Sequence, residues 1–140
     1  KEILNGFSYQ SNSVVLHTDI TLLPKRKLAW AAWNYFIPQT DLGRVALTYN
    51  MNILQGIKSP ETFCVSLNQD HLIDPNKILR HFTYDHPVYT RAAFSSQRRW
   101  HEISGKNRTH FCGAYWGYGF HEDGVKSALQ VCGSFGQHLS

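Results

Sequence analysis

The chain has 140 residues, with 14 Lys plus Arg against 10 Asp plus Glu, a formal net charge of +4 and 42% apolar residues. This length fits roughly one domain with one core, and the apolar content excludes a disordered chain. The longest apolar run, Leu28 to Trp33, falls far short of the ~18 residues of a membrane span. A net charge this small does not by itself indicate a nucleic-acid partner.

Cysteine usage and the N-terminal residues favour a cytoplasmic protein. The three cysteines, Cys64, Cys112 and Cys132, are scattered and form no CxxC pair. An odd, scattered set is a poor disulfide framework, and no charged and apolar leader opens the sequence. Aromatic residues make up 14% of the chain. Several lie beside glycines, which is typical either of a binding cleft or of a core of large side chains.

The first two thirds of the chain are predicted to form a β-rich meander. Met51 to Gly56 is predicted to be one helical turn that ends at the glycine, and Asp85-His86-Pro87 is expected to stop the last strand. The segment from Lys1 to Asn12 is either a frayed terminus or the tail of an earlier helix. Strand composition marks the runs 13–18, 28–36, 44–50, 63–67 and 78–84.

The last third changes character. A weak helix is predicted over Arg91 to Ile103, followed by a short strand over Thr109 to Cys112. Glycines then occur at 113, 117, 119 and 124, and a helical period runs from Val125 to Phe135. A strand, a glycine-rich turn and a helix in this order direct backbone N–H groups and a positive helix end at an anion or an electron-rich ring edge.

Three commoner site motifs are not satisfied. Residues 119–127 read GFHEDGVKS, which misses the phosphate-loop spacing by one residue and adds two acidic side chains. The histidines lack metal-ligand spacing, because His101-Glu102 has no following partner and His81 with His86 suits neither a helix face nor a strand face. No GxSxG is present. We expect neither a nucleoside-triphosphatase nor a metal site nor an α/β-hydrolase.

Residues 108–124 read RTHFCGAYWGYGFHEDG and continue with VKSA. This segment resembles the C-terminal flavin-binding segment of the FAD-dependent amine oxidase and desaturase superfamily, in which a strand ending Phe-Ala-Gly precedes Gly-Tyr-x-Glu-Gly-Ala-x-x-Ser-Gly. The runs 15–19, 30–35 and 48–52 are similar to the bacterial branch described as predicted NAD/FAD-binding proteins. The resemblance covers most of the chain.

The resemblance implies a non-covalent FAD site. The residue at Gly113 would let the backbone approach the ribityl and pyrophosphate groups, and the helix start near His121 would direct N–H groups at the N1 and O2 edge of the flavin, where negative charge gathers on reduction. The position of the family's covalent cysteine is Val88, so no thioether forms. Tyr89 and Phe120 are expected to flank the substrate. The predicted cofactor-binding residues are Gly113, Ala114, Gly119, Phe120, His121, Glu122, Gly124 and Ser127.

This chain departs from the family pattern at several points. Ala114 stands where the family has Glu, and Asp123-Gly124 replaces its Gly-Ala pair. No GxGxxG for the adenosine diphosphate half is present. We therefore expect an α+β chain that is the C-terminal part of a longer enzyme. In it, residues 1–107 form an antiparallel or mixed substrate-domain sheet, and residues 108–140 form the strand, turn and helix of a dinucleotide-binding domain.

The predicted function is hydride removal from a C–N or C–C bond, with a small molecule or an acyl chain as substrate. FAD would bind only together with the missing N-terminal part. The alternatives are a non-catalytic ligand-binding or oligomerisation module and, in third place, a nucleic-acid binder that stacks bases on its aromatic side chains. We also expect a homo-oligomer or a second chain to cover the edge strand and apolar helix face of the C-terminal segment.

Overall fold

A computed structural model describes residues 1–37 and 43–139. It is an α+β protein with a five-stranded sheet in the order β2-β3-β4-β1-β5. The strands are β1 (Ser8–His17), β2 (Trp33–Phe36), β3 (Ala46–Asn50), β4 (Cys64–Leu67) and β5 (Ile78–Val88). The helices are α1 (Glu2–Asn5), α2 (Met51–Gln55), α3 (Arg91–Arg98) and α4 (His121–Gly133).

The sheet confirms the predicted fold class at the level of α+β. The pairs β2–β3, β3–β4 and β4–β1 are antiparallel, with Thr48 opposite both Asn34 and Ser66. Only β2, β3 and β4 follow one another as a meander, because β1 lies between β4 and β5. The N-terminal segment, expected to be frayed or a helix tail, supplies the short α1 and the first residues of this inner strand.

The chain divides into two compact units. The sheet unit comprises Ser11–Asp85, and the terminal unit comprises Lys1–Gln10 together with the chain from His86 onward. In the sheet unit the inner strands carry the buried apolar side chains, including Val15 and Leu47. The predicted boundary at residue 107 refers to the family's domains and stays a prediction.

In the terminal unit, short apolar contacts join the N-terminal residues to the C-terminal region. The Phe7 ring lies 5.0 Å from the Tyr115 ring and 4.9 Å from the Trp116 ring. Ile3 and Ala93 are buried. These contacts give the C-terminal region a packed support for the glycine-rich turn described below.

Three predicted helices are confirmed. Asn50 accepts a hydrogen bond from the Ile53 N–H at 3.2 Å at the start of α2, and Gly56 ends that helix in the left-handed conformation with φ 65°. The C-terminal helix begins at His121, and Arg91–Arg98 is helical as α3. None of the described helices is long and apolar enough to span a membrane.

Three predicted strand boundaries are wrong. The first strand spans Ser8–His17 and not residues 13–18, because the pairing in the sheet extends over the polar residues before Ser13. Only Trp33–Phe36 of the run 28–36 is a strand, because Lys27–Ala29 forms a 3-10 turn and the Trp30 Nε1–H donates to the Pro24 carbonyl at 2.8 Å. The expected stop at Asp85-His86-Pro87 does not occur, since β5 continues to Val88. An edge strand tolerates a proline because one of its sides makes no ladder.

The predicted strand over Thr109–Cys112 is also wrong. Within the described residues, this segment makes only an isolated bridge between Lys106 and Thr109. Side chains satisfy its backbone instead, because the Trp100 Nε1–H donates to the Phe111 carbonyl at 2.7 Å and the Ser104 hydroxyl accepts from the Phe111 N–H at 3.3 Å. Residues that are typical of strands form a β-strand only where a neighbouring strand accepts and donates the backbone hydrogen bonds.

Candidate functional site

The glycine-rich turn, residues 113–119, leads directly into α4. Gly113 has φ 151° and ψ 158°, and Gly119 has φ 86°, conformations that L side chains avoid. A Cβ on Gly113 would lie 2.5 Å from Cε1 of Tyr115, and a Cβ on Gly119 would lie 2.3 Å from the Tyr89 hydroxyl oxygen. Both the backbone and the neighbouring rings therefore require glycine at these two positions.

The start of the turn is held against α4 by residues that the sequence had singled out. Ser127 is buried, and its hydroxyl accepts the Gly113 N–H at 3.1 Å. On the same helix, a Cβ added to Gly124 would lie 3.8 Å from the Cβ of Ala114, an ordinary contact distance. The Ala114 carbonyl accepts the Gly119 N–H at 3.2 Å and closes the turn. Five of the predicted cofactor-binding residues thus lie together.

Two residues that support the turn were not predicted. The Gln97 side chain on α3 donates to the carbonyls of Tyr115 at 2.9 Å and Gly117 at 2.6 Å. Trp100 holds the Phe111 carbonyl just before the turn. A glutamine or tryptophan in a helical segment does not reveal a backbone partner that lies outside that helix, 11 to 20 residues away, so sequence patterns carried no signal for either residue.

Asp123, where the chain departs from the family pattern, has a local structural role. Its carboxylate accepts the N–H groups of Tyr118 at 3.0 Å and Phe120 at 3.1 Å. A Cβ on Gly117 would lie 2.5 Å from the Asp123 Cγ, so the carboxylate lies against that glycine. The negative charge at the helix start is therefore directed at the turn backbone, where it stabilises the N-terminus of α4.

The first turn of α4 leaves two backbone donors without an intrahelical acceptor. The N–H groups of Asp123 and Gly124 donate to the Phe120 carbonyl at 3.0 and 3.2 Å. The N–H groups of His121 and Glu122 lie before the first i to i−4 hydrogen bond of the helix and therefore have no acceptor within it. Both residues are exposed. The predicted donors therefore lie at the start of a helix of 13 residues.

Aromatic side chains surround this helix start. The Tyr89 ring lies 6.2 Å from the Phe94 ring, which lies 6.4 Å from the Tyr118 ring. Tyr118 is 69% exposed and Phe120 is 58% exposed. The Tyr89 hydroxyl is buried and has no hydrogen-bond partner in the described part of the chain. Its burial raises the pKa of Tyr89, and the charge of Asp123 adds to this effect.

Tyr89 and Phe120, the residues predicted to flank the substrate, both lie at the glycine-rich turn. Tyr89 lies against Gly119, the residue before Phe120, but the ring that it contacts is that of Phe94. Phe94 lies on α3, inside the predicted helix, and was not predicted as a site residue. The aromatic group around the turn is therefore larger than the predicted pair.

The sheet unit contains a buried His–Ser contact that superficially resembles a catalytic pair. His17 Nε2 lies 2.8 Å from the Ser66 hydroxyl, which lies 2.7 Å from the Thr48 hydroxyl. The Asp19 N–H donates to His17 Nδ1 at 3.1 Å, so Nε2 carries the hydrogen and donates to Ser66. Burial lowers the pKa of His17 despite the neighbouring Asp19 charge.

This pair has a structural role. A histidine that activates a serine must accept the hydroxyl proton, whereas here it donates. His17 and Ser66 are both 0% exposed, so no substrate reaches them. The contact satisfies polar groups inside the sheet unit.

No group of three or more His, Cys, Asp or Glu side chains in residues 1–37 and 43–139 is arranged to hold a metal ion. No protein-family model matches the chain, and no curated protein gives a significant match. The family resemblance therefore depends on the sequence motifs.

Proposed function

We propose that this chain is the C-terminal portion of an FAD-dependent oxidoreductase of the amine oxidase and desaturase type. The observation that carries the proposal is the turn at 113–119, whose two positive-φ glycines precede a helix start with two available N–H donors. In the family that the sequence resembles, the corresponding turn and helix face the flavin.

The residues of the turn suit such a cofactor. Ser127 and Gln97 fix the backbone, so the donors of His121 and Glu122 keep one direction without help from a ligand. Exposed aromatic faces at Tyr118 and Phe120 suit a flat conjugated ring. When bound, FAD would supply hydride acceptance, and fixed donors near its N1 and O2 edge would favour the reduced, negatively charged form.

The chain's own residues would bind the cofactor and orient it towards the substrate. Gly113 and Gly119 would bring backbone close to the cofactor and Tyr89 and Phe120 would shape the substrate side, while Asp123 keeps the turn closed. The substrate would lose hydride from a C–N or C–C bond. The adenosine diphosphate half would be held by a GxGxxG-bearing segment outside these residues, as the family arrangement implies.

The experiment is retention of flavin by the complete product of the gene. The purified protein is incubated with FAD and desalted, and its absorption is read near ~450 nm, the region of oxidised flavin. We expect a retained band that Ser127→Ala weakens, because the Gly113 N–H then loses its acceptor. The matched control is Ser134→Ala at the exposed C-terminal end of α4.

Circular dichroism of both variants separates loss of flavin from loss of fold. Lower flavin retention in folded Ser127→Ala, with Ser134→Ala unchanged, supports the proposal. A colourless complete protein, or equal retention by both variants, overturns it and leaves the non-catalytic ligand-binding or oligomerisation module.

A further inference from the structure

The sheet unit contains a second concave surface, separate in sequence from the glycine-rich turn. It is a cleft of about 770 Å³, within the range of about 300–1,000 Å³ that ligand sites occupy. Its walls come from the segment after β1, from β2 and from the turn after β4. The residues used below are Leu23, Pro24, Lys25, Trp33, Tyr35 and Leu72.

The walls of the cleft are mainly apolar. Trp33 is 52% exposed, Tyr35 is 64% exposed and Leu72 is 47% exposed. Leu23 is buried behind them, and the Trp30 indole holds the Pro24 carbonyl at 2.8 Å and fixes that side of the cleft. Large exposed apolar side chains that gather around one concave surface mark an interaction site, whereas single exposed apolar side chains are common on any protein surface.

Among the described lining residues of the cleft, Lys25 carries the charge. Within residues 1–37 and 43–139, neither Asp nor Glu lines it. The nearby Asp19 does not neutralise Lys25, because the Asp19 side chain is 3% exposed and pairs with Lys77 at 3.3 Å. Lys27, two residues along, lies 5.7 Å from the Trp30 ring centroid, so its charge is directed at that ring.

The amide side chains in the wall are engaged within the protein. The Asn34 amide donates to the Ala31 carbonyl at 2.7 Å and to the Thr48 carbonyl at 3.2 Å. The Gln69 amide donates to the Thr48 hydroxyl at 3.2 Å. Among the described lining residues, Lys25 is therefore the charged group that a ligand would meet.

We propose that this cleft binds an amphiphile with an apolar chain and one anionic end, of the class of medium- and long-chain carboxylates, with the carboxylate at Lys25. The apolar wall receives the chain, and the Lys25 cation selects an anionic end over a neutral or cationic one. The inference stands on the sheet unit and does not depend on flavin binding.

The test is isothermal titration calorimetry with monomeric octanoate, decanoate and dodecanoate, each kept below micelle formation. We expect affinity to rise up to about fourfold per methylene buried, which follows from ~0.8 kcal/mol per methylene. Decanoate should bind more tightly than decanol, and decylammonium should bind most weakly. Equal affinity for decanoate and decylammonium would contradict the role of Lys25.

Two pairs of variants locate the site. Lys25→Ala should weaken decanoate binding about two- to fivefold and remove the preference over decanol, as expected for an exposed ion pair. Lys58→Ala is the matched control, because Lys58 is exposed and lies outside the cleft. Leu72→Ser should weaken all three carboxylates, whereas Ile53→Ser, 50% exposed on α2, should not.

Three results would overturn the proposal. The first is the absence of binding heat with any carboxylate, and the second is an equal effect of Lys25→Ala and Lys58→Ala. The third is binding to anionic phospholipid vesicles without binding to monomeric carboxylate, which would identify a membrane surface as the partner. Because the titration contains no flavin, a failure here leaves the proposed oxidoreductase function untouched.

Discussion

Asp19 shows how one side chain organises the end of β1. Its carboxylate accepts the N–H and hydroxyl of Thr21 at 3.1 and 2.9 Å, the N–H of Asp74 at 2.9 Å and the ammonium of Lys77 at 3.3 Å. Burial alone would raise the pKa of Asp19, but these donors lower it to about 2 from an ordinary value of 3.8. The carboxylate thus connects the chain after β1 with the turn before β5.

We predict that Asp19→Asn lowers the free energy of unfolding at pH 7 by about 2 kcal/mol. This figure follows from the lowering of the Asp19 pKa from 3.8 to about 2, at ~1.4 kcal/mol per pKa unit. A carboxyl group whose pKa is lower in the folded state than in the unfolded state stabilises the fold at pH values above its unfolded pKa. This contribution is lost as the pH falls through the folded pKa. The difference from wild type should therefore shrink between about pH 4 and pH 2. Urea titrations across this range measure it.

The control for this prediction is Asp85→Asn, since Asp85 is exposed on β5. Its unfolding free energy should change by less than about 0.5 kcal/mol. A pH-independent difference for Asp19→Asn, or an equal loss in the control, would contradict the prediction.

At this scale the sequence revealed residue types but not their partners. Gly113 and Gly119 could be assigned to a turn because glycines cluster there, and the structure shows that both need positive φ. Gln97 and Asp123 act on the same turn through hydrogen bonds to backbone atoms. Those contacts depend on tertiary packing and have no local sequence signature.

The glycines of the turn and of α4 differ in their tolerance of a side chain. Gly124 is helical, and an added Cβ would make an ordinary contact 3.8 Å from Ala114. We predict that Gly124→Ala stabilises the protein by about 0.5–1 kcal/mol, because alanine has the higher helix propensity. Thermal unfolding followed by circular dichroism measures the change.

The matched variant is Gly119→Ala, which should destabilise the protein by about 1–2 kcal/mol. Its φ of 86° is strained for alanine, and the new Cβ would collide with the Tyr89 hydroxyl. Equal shifts of the two variants in the same direction would contradict this account of the turn.

Elements were predictable where one local signal was enough. The second half of β1, together with β3 and β4, has β-branched and apolar composition, and α2 has Asn50 at its start and Gly56 at its end. The run 28–36 and Thr109–Cys112 share strand composition, yet a 3-10 turn and side-chain contacts take their backbone groups. Composition does not show whether a neighbouring strand is present.

For the whole molecule, the α+β class followed from the order of strands and helices, whereas the sheet order did not. The pairing of β1 between β4 and β5 joins residues far apart in sequence, as at Val14 opposite Leu67. The division into two units mixes the N-terminal ten residues with the C-terminal region, which no composition change marks. Such pairings are fixed by tertiary burial.

The cysteines offer a way to follow unfolding of the whole molecule. Cys64, in the sheet unit, is buried, and burial raises its pKa to about 11, whereas Cys112 and Cys132, in the terminal unit, are exposed. A thiol-disulfide reagent at pH 8 should therefore label the exposed pair quickly and Cys64 only after the sheet opens. The double variant Cys112→Ser, Cys132→Ser isolates the slow thiol.

We predict that Cys64 becomes reactive at the same urea concentration at which the circular dichroism of the whole chain is lost. The reason is covalent continuity, because β1 and β5 each begin in one unit and end in the other, so melting either strand removes structure from both. Pulse labelling of the double variant along a urea series gives the midpoint for Cys64. Labelling that clearly precedes or follows the circular dichroism transition would mean that the sheet unit unfolds independently, and the shared strands would then not couple the two units.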